Sequence, residues 1–383
     1  MDAKLNTLKS GFKTWLFDHA LPLWAQKGVD QAKGGFYERL NLDGTPDDIN
    51  RRTRVAARQV YSYALAKRMG YKGVSDAVID QGLAWLSGPA KSPEGMVYAV
   101  LSPTGEVVRA EFDFYDHAFT LLAYASAYKV RPHDSNLKAR GKFIRDYIVS
   151  HYRHPDRGFE ESIPRSLPLK ANPHMHMFEA CLAWIDAGGD KVWHDLASEI
   201  AELCLDKFLH PVTGALREFF DGEWNVIKGE AGRIVEPGHQ FEWAWLMIRW
   251  YQLEGDERFL TAAKRLIEIG EAHGTDQVRG VSVNEVWDDF KPKDSKARLW
   301  PQTERMKAYS ALHSVATHPS DAAMAIEKAI EACDGLKLYF KTEIEGLYSD
   351  KMNEDGSLVV ESAPTSSLYH IICAIDEINK IEV

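Results

Sequence analysis

Two kinds of helical segment alternate along the chain. One kind has an apolar face and a charged face, as in residues 257–274, where Phe259, Ala263 and Leu266 recur at helical spacing among charged positions. The other kind is apolar nearly all round, as in residues 117–128, which contain no Asp, Glu, Lys or Arg. A helix without a polar face must be enclosed by other elements, so the alternation predicts an outer and an inner layer of helices.

Each kind of segment occurs six times. The two-faced segments are residues 4–24, 76–86, 136–148, 192–209, 257–274 and 320–341. The enclosed segments are residues 54–66, 117–128, 174–185, 239–251, 304–315 and 367–378. Each enclosed segment follows a glycine turn, and the turn glycines are Gly35, Gly95, Gly158, Gly214, Gly280 and Gly346. Successive turn glycines are 60, 63, 56, 66 and 66 residues apart, which indicates a sixfold repeat.

Six inner and six outer helices predict an all-α fold, an (α/α)6 barrel of two concentric rings. A linear solenoid of helix pairs is the alternative, but it would not enclose every second helix so completely. We expect strands only at the glycine turns and in the loops that follow them. No Pro-, Gly- or Ser-rich linker interrupts the repeat, so residues 1–383 are predicted to form a single domain.

Composition excludes several classes of protein. The 383 residues are 45% hydrophobic, which suffices for a full core and excludes a disordered chain. The net charge of -10 argues against a nucleic-acid partner, and no apolar stretch approaches the roughly 20 residues needed to cross a membrane. The polar first residues and four widely spaced cysteines favour a cytoplasmic protein. Whether it forms a homo-oligomer is left open.

Polar residues interrupt the enclosed helices at matching depths. The distances from the turn glycine are 19, 22, 18, 25, 24 and 24 residues for Arg54, His117, His176, His239, Glu304 and His370. Prolines at positions 173, 237, 301 and 364 indicate where four of these helices start, because proline is favoured in the first turn. Asn172 is predicted to cap its helix. Since a buried polar group needs a partner, we expect the four that follow these prolines to share a site at one mouth of the barrel. They are His176, His239, Glu304 and His370.

Other interpretations of these residues are weaker. His174 and His176 look like a metal-ligand pair, but residues two apart on a helix point in different directions, and neither an HExxH motif nor clustered cysteines are present. No Gly-rich phosphate loop is present either. A non-catalytic helical scaffold would not need three histidines at one rim. A glycoside hydrolase would need two facing carboxylates, for which the candidates are Asp113, Asp116, Glu242 and Glu304.

Histidine is the side chain best placed to exchange protons near neutral pH, and a helix N-terminus disfavours its charged form. Several neutral histidines around a pocket suit removal of a proton next to a carbonyl group and its return elsewhere. This is the chemistry of isomerases and epimerases.

Several motifs together resemble the N-acylglucosamine 2-epimerase superfamily, and within it the aldose–ketose isomerases that act on free mannose. The motifs are Thr53-Arg54, Tyr115-Asp-His-Ala-Phe119, Asn172-Pro-His-Met-His-Met-Phe-Glu-Ala180, Glu236-Pro-Gly-His-Gln-Phe-Glu-Trp243, Trp300-Pro-Gln-Thr-Glu304 and Ser367-Leu-Tyr-His370. The resemblance covers the whole chain. It implies an (α/α)6 barrel without metal or organic cofactor and a monosaccharide substrate.

The resemblance also implies roles for individual residues. His239 and His370 would be the acid and base at the C1–C2 edge of the sugar, and His176 would assist ring opening or orient sugar oxygens. The substrate-binding residues would be Arg54, Tyr115, Asn172, Glu242, Trp300 and Glu304. The expected reaction is interconversion of D-mannose and D-fructose, with related aldoses such as D-lyxose also accepted. The alternatives are a 2-epimerase acting on mannose, N-acylglucosamine or cellobiose, and an enzyme for an anionic sugar.

Overall fold

Helices dominate the computed structural model, which describes residues 1–382. In chain order the α-helices are α1 (Asp2–Thr14), α2 (Leu21–Lys27), α3 (Thr53–Arg68), α4 (Ser75–Ser87), α5 (Phe114–Val130), α6 (Ser135–His151), α7 (Ala171–Asp186), α8 (Lys191–Leu203), α9 (Pro237–Glu254), α10 (Glu257–Gly274), α11 (Leu299–Ser314), α12 (Pro319–Lys337) and α13 (Leu368–Asn379). A π-helical turn, Trp15–Ala20, joins α1 to α2, and another, Cys204–Phe208, extends α8.

The helices form two closed rings. In the inner ring each of α3, α5, α7, α9 and α11 packs against the next, and α13 packs against α3 to close the circle. Helices α4, α6, α8, α10 and α12 each pack outside the inner helix that precedes them, and α1 packs against α12 and α13. The predicted (α/α)6 barrel is therefore confirmed.

The six turn glycines have the conformation that the repeat predicts. Each has a positive φ, from 71° to 94°, which side chains other than glycine rarely adopt. In four repeats, a fully buried inner-helix side chain accepts a hydrogen bond from a backbone amide just after this glycine. These pairs are His117 with Val97, His174 with Phe159, Gln240 with Leu216, and Gln302 with Ser282. His117 lies about as far from its turn glycine as the site histidines lie from theirs. Its side chain bonds to the turn at Gly95 instead of facing the site.

Short strands join neighbouring repeats. They are β1 (Arg39–Leu40), β2 (Arg51–Arg52), β3 (Val100–Leu101), β4 (Val107–Arg109), β5 (Leu169–Lys170), β6 (Phe219–Phe220), β7 (Ile234–Val235), β8 (Thr275–Asp276), β9 (Val281–Ser282), β10 (Glu285–Trp287), β11 (Pro292–Asp294), β12 (Ala297–Arg298), β13 (Lys351–Met352) and β14 (Ala363–Pro364). The strand before five of the inner helices pairs antiparallel with a strand of the next repeat, in the pairs β2–β3, β5–β6, β7–β10, β12–β13 and β14–β1. These pairs hold the starts of the inner helices around one mouth.

The helix starts differ in detail from the sequence prediction. Helix α7 begins at Ala171 with Lys170 as its N-cap, so Asn172 lies inside the first turn and is not the cap. The pairing of Lys170 in β5 fixes this start two residues earlier than the proline suggests. Pro237 occupies the first turn of α9 as predicted. Among residues 1–382, no helix is both long and apolar enough to cross a membrane.

We expect His174→Leu to lower the free energy of unfolding by about 2–5 kcal/mol, because it strips buried backbone groups of their partners. The His174 ring contacts the Lys170 carbonyl at 2.9 Å and accepts the Phe159 amide at 3.0 Å. Urea unfolding measures the change. The control is His151→Leu, at an exposed helix end, which should change stability by less than about 0.5 kcal/mol. Equal effects of the two substitutions would contradict a structural role for His174.

Candidate active site

A cavity of about 370 Å³ opens where the inner helices begin. Every inner helix contributes a side chain to its wall. These side chains are Arg58 of α3, Tyr115 of α5, Asn172 and His176 of α7, His239 and Glu242 of α9, Trp300 of α11 and His370 of α13. The loops before the helices add Arg52, Glu236, Arg298, Asp350, Pro364, Ser366 and Ser367.

The cavity brings together seven of the nine residues that the sequence predicts for the site. These are His176, His239, His370, Tyr115, Asn172, Glu242 and Trp300. Arg54 lines an adjoining recess, where its guanidinium lies 2.6 Å from Asp116 and 3.3 Å from Asp113. Glu304 is fully buried behind His370 and lies outside the cavity wall.

His239 is the histidine with a raised pKa. Burial by itself would lower this pKa, but Glu218, 3.0 Å from Nδ1, and Glu236, 3.7 Å from it, outweigh burial and raise the pKa to about 10. The ring is therefore an imidazolium at neutral pH and can donate a proton into the cavity.

His370 and His176 have the opposite character. Burial, reinforced by the positive charges of Arg58 and Lys307, holds the pKa of His370 well below 6.5. Burial also lowers the pKa of His176 to about 4, although Glu179 at 3.3 Å partly opposes it. Both rings are thus neutral at pH 7, and each can place its free nitrogen lone pair toward a substrate.

A buried charge cluster lies behind these histidines. The Lys307 ammonium is 2.5 Å from Glu304, which in turn contacts His370 Nδ1 at 2.8 Å. Glu242 lies 3.9 Å from Lys307. Burial, and then repulsion from Glu304, raises the pKa of Glu242 to about 8. Glu242 therefore carries a proton for most of the time at neutral pH.

Unpaired polar atoms and aromatic rings complete the wall. Glu242 Oε1 and Asn172 Oδ1 have no hydrogen-bond partner among residues 1–382, which suits them to bind hydroxyl groups. The Trp300 ring lies between His239 and His370, with ring centroids 5.1 and 5.8 Å away. A Cβ atom at Gly238 would come within 2.4 Å of this ring, so glycine is needed for the close approach.

Arg58 is the principal residue that sequence reasoning missed. It lies one helical turn after Arg54, donates to the Tyr115 hydroxyl at 2.7 Å and stacks over Phe119. Its Nε has no hydrogen-bond partner within the described part of the chain. The signal was available, because positions four apart share a helix face and Arg58 interrupts an apolar segment as Arg54 does. Glu218, which holds His239, carried no such signal.

Three groups of side chains have donor atoms close enough to hold a metal ion. They are His176 with Glu179 and Glu242, His239 with Glu218 and Glu236, and His370 with Glu242 and Glu304. Lys307 already places a positive charge against Glu304 in the third group, and the positive charge of His239 balances the second. In the second and third groups, cations of the protein can therefore compensate the carboxylates without a metal.

Comparison with known proteins identifies the family. The family model for N-acylglucosamine 2-epimerase (GlcNAc 2-epimerase) matches residues 35–374. The chain belongs to this family. A relative from Rhizobium meliloti named mannose-6-phosphate isomerase is 44% identical over 367 residues, which is 95% of each chain. A D-mannose isomerase from Thermobifida fusca is 30% identical over 63% of each chain.

The fold comparison agrees with this assignment to the GlcNAc 2-epimerase family. A crystal structure of D-mannose isomerase superposes with a TM-score of 0.88 at 19% identity, and the alignment covers 98% of this chain and 97% of the other. At that identity the likeness concerns the fold, the same barrel with the same ring of inner helices.

We expect Glu218→Gln to lower the pKa of His239, because the substitution removes the negative charge closest to the imidazolium. With Glu218 present this pKa is about 10. NMR titration of the ring nitrogens measures the shift, and Glu199→Gln, which removes a partner of the remote Arg153, is the control. An unchanged titration of His239 would contradict the assignment of Glu218 as the group that holds its charge.

Proposed function

We propose that this chain is an aldose–ketose isomerase that interconverts D-mannose and D-fructose, and D-lyxose and D-xylulose as related substrates. Its family consists of sugar-converting enzymes, and the chain is an enzyme of the sugar isomerase and epimerase class. The observation that carries the proposal is the pairing of a neutral His370 with a cationic His239 on either side of Trp300 in one cavity. A base and an acid whose pKa values are pushed apart are what proton transfer across a carbonyl requires.

In the proposed reaction, the neutral His370 removes the proton at C2 of the open-chain aldose. The His239 imidazolium donates a proton to the carbonyl oxygen at C1, which gives a cis-enediol. His370 then returns its proton to C1, and the hydroxyl at C2 gives its proton back to His239, which leaves the ketose. Glu304, hydrogen-bonded to His370 Nδ1, fixes the ring so that Nε2 faces the sugar.

The remaining wall residues would open and hold the sugar. We assign ring opening to His176, whose neutral ring can accept the proton of the anomeric hydroxyl. Arg58, Asn172 and the protonated Glu242 provide donors and an acceptor for sugar oxygens at the floor and sides of the cavity. The Trp300 ring offers a flat apolar surface to the carbon skeleton.

A 2-epimerase is the second candidate. Epimerisation needs a second base that reaches the opposite face of C2, and His176 is a second neutral histidine on the same cavity. A glycoside hydrolase is less well supported, because Glu304 lies behind His370 and Asp113 and Asp116 are paired with Arg54. Two free carboxylates that face each other are therefore not available from that set.

The charges at the mouth favour a neutral sugar over a phosphorylated one. Arg52 is 2.7 Å from Glu38, Arg298 is 3.7 Å from Glu236, and the carboxyl of Asp350 lines the same rim.

A phosphate binds best where arginines have no carboxylate partners. Arg58 on the cavity wall has none among residues 1–382, but it is only 6% exposed and already donates to the Tyr115 hydroxyl and the Ser366 carbonyl. The name of the R. meliloti relative makes mannose 6-phosphate the substrate to compare.

The direct test is incubation of the protein with D-mannose in deuterated water, with the products identified by NMR. Fructose supports isomerisation, and glucose labelled at C2 supports epimerisation. Mannose 6-phosphate is run in parallel, and conversion of the phosphorylated sugar alone would contradict the proposed neutral substrate. An inert monosaccharide together with cleavage of a disaccharide would contradict both proposals.

We expect His370→Asn and His239→Asn each to lower kcat by about 10²–10⁴-fold, because each removes a proton-transfer group. Both side chains are only 6% exposed, so the melting temperature is measured alongside kcat. The control is His133→Asn at an exposed turn, which should leave both quantities unchanged. If both site variants unfold, and activity falls only as far as the folded fraction falls, these histidines are structural instead.

We expect activity to survive prolonged treatment with EDTA, because the proposed steps use histidine and lysine charges and no metal or organic cofactor. The measurement is the initial rate before and after chelation and dialysis. A loss that only an added divalent ion restores would overturn this part of the proposal.

A further inference from the structure

A second cavity opens at the other end of the barrel, where the inner helices end. Its volume is about 230 Å³, and its wall includes Tyr61 of α3, Ser126 of α5, Glu179 of α7, Trp245 of α9 and Cys373 of α13. We call it the rear cavity. None of the residues expected to bind the sugar lines it, so it needs an explanation of its own.

The floor of the rear cavity carries two unsatisfied polar atoms. Glu179 and Trp245 are each only 2% exposed, and Glu179 Oε1 and Trp245 Nε1 have no hydrogen-bond partner among residues 1–382. A buried carboxylate oxygen without a partner is costly, and a polar cavity of this size has room for several waters that would satisfy it. Both residues line the rear cavity, and since charged residues such as Arg68, Asp186 and Lys380 also line it, we expect the cavity to be hydrated.

Glu179 also contacts a residue of the active-site cavity at the helix starts, which we call the front cavity. Its other oxygen, Oε2, accepts hydrogen bonds from the Tyr369 hydroxyl and from His176, which lines the front cavity. The two cavities are therefore separated by a single hydrogen-bonded pair. The same carboxylate thus belongs to the wall of the rear cavity and contacts a site histidine on its other side.

The network continues from Glu179 to the proposed base. Donor atoms of His176, Glu179 and Glu242 lie within 4.8 Å of one another, and so do those of Glu242, Glu304 and His370. Glu242 belongs to both groups and lines the front cavity. Acid–base groups thus extend from His370 to the rear cavity by way of Glu242, in the wall of the front cavity.

We propose that the rear cavity is a water-filled proton-exchange path, and that Glu179 relays protons between its water and the histidines of the active site while the sugar closes the front. In this path, the proton that His370 Nε2 takes from the substrate is exchanged for one held by Glu242. Glu242 then passes the substrate-derived proton through Glu179 to the rear water and takes up a solvent proton by the same route, so one proton leaves for each that enters and charge is conserved.

Glu179 is a positioning and relay residue, since it does not line the front cavity. Burial would raise its pKa, but His176, Lys307 and Tyr369 outweigh burial and lower the pKa to about 2, so Glu179 is an ionised carboxylate that holds a proton only while passing it on.

The proposal rests on the proposed function for its kinetic test, which follows the hydrogen at C2 of the substrate. Unlabelled mannose is converted in deuterated water, and the fraction of product that carries solvent deuterium at the new C–H bond is measured by NMR at low conversion. For an isomerase this bond is at C1, and for an epimerase it is at C2. We expect the wild-type protein to incorporate solvent deuterium in a measurable fraction of turnovers.

Two substitutions fill the rear cavity from different helices. Ala183→Leu and Ser126→Leu place apolar bulk in its wall, far from the sugar. We expect each to lower the solvent-derived fraction by about twofold or more while kcat changes by less than about twofold, because the base keeps its geometry and loses only its exchange route. Ala183→Ser leaves the cavity open and is the matched control.

The outcomes separate the proposal from its alternatives. Unchanged solvent incorporation in both filled variants, or complete internal transfer of the hydrogen in the wild type, would overturn the exchange path. A crystal structure must also show ordered water within hydrogen-bond distance of Glu179 Oε1, and a dry cavity would overturn the proposal whatever the activity. Absence of any product from the wild type would instead count against the proposed function, which the water positions do not test.

Discussion

The ion pair between Lys307 and Glu304 is the interaction on which the rest of the site depends. Both side chains are fully excluded from solvent, and Glu304 contacts His370 directly. Without Lys307, the uncompensated Glu304 carboxylate would favour protonation of His370. A protonated His370 could not accept a proton from the substrate, as the proposed reaction requires. Buried ion pairs contribute little net stability, since desolvation offsets their attraction. We interpret this pair as a means of keeping an imidazole neutral beside a carboxylate.

Closure of the inner ring makes such a site feasible. Each inner helix brings one or two polar side chains to the mouth, and strand pairs such as β14 with β1 hold the helix starts in place across the junction of the first and last repeats. No single helix could surround a sugar. The chemistry therefore requires that all six repeats stay in register, and the turn glycines, each at positive φ, set the spacing at which every inner helix begins.

The sequence predicts the barrel and most of the site because both follow from the repeat. Depth along the repeat does not separate His117 from the site histidines, however, because depth along a helix does not specify the side of the helix. The side chains that hold the turns, His174, Gln240 and Gln302, come two positions before His176, Glu242 and Glu304. Both sets of residues are polar. What distinguishes them is the side of the helix from which the side chain projects: toward the glycine turn, or toward the active site.

The residues that the sequence could not supply are partners from other parts of the chain. Glu218 lies on a turn 21 residues before His239, and only the folded loop brings them into contact. Glu179 lies three residues after His176, so their contact could be predicted from helical spacing. Its position in the wall of the rear cavity could not, because that cavity exists only once the helices pack together.

A closed double ring leaves two ends as the openings to its centre. In the proposed reaction the substrate enters where the helices begin, because that end carries the histidines and the groups proposed to bind hydroxyls. The other end reaches the same buried acids from behind. Since His176 and His370 are both neutral, basicity does not distinguish isomerisation from epimerisation. The outcome is then set by which carbon and which face of the enediol each ring meets, and by whether the proton on the base is returned before it exchanges with water.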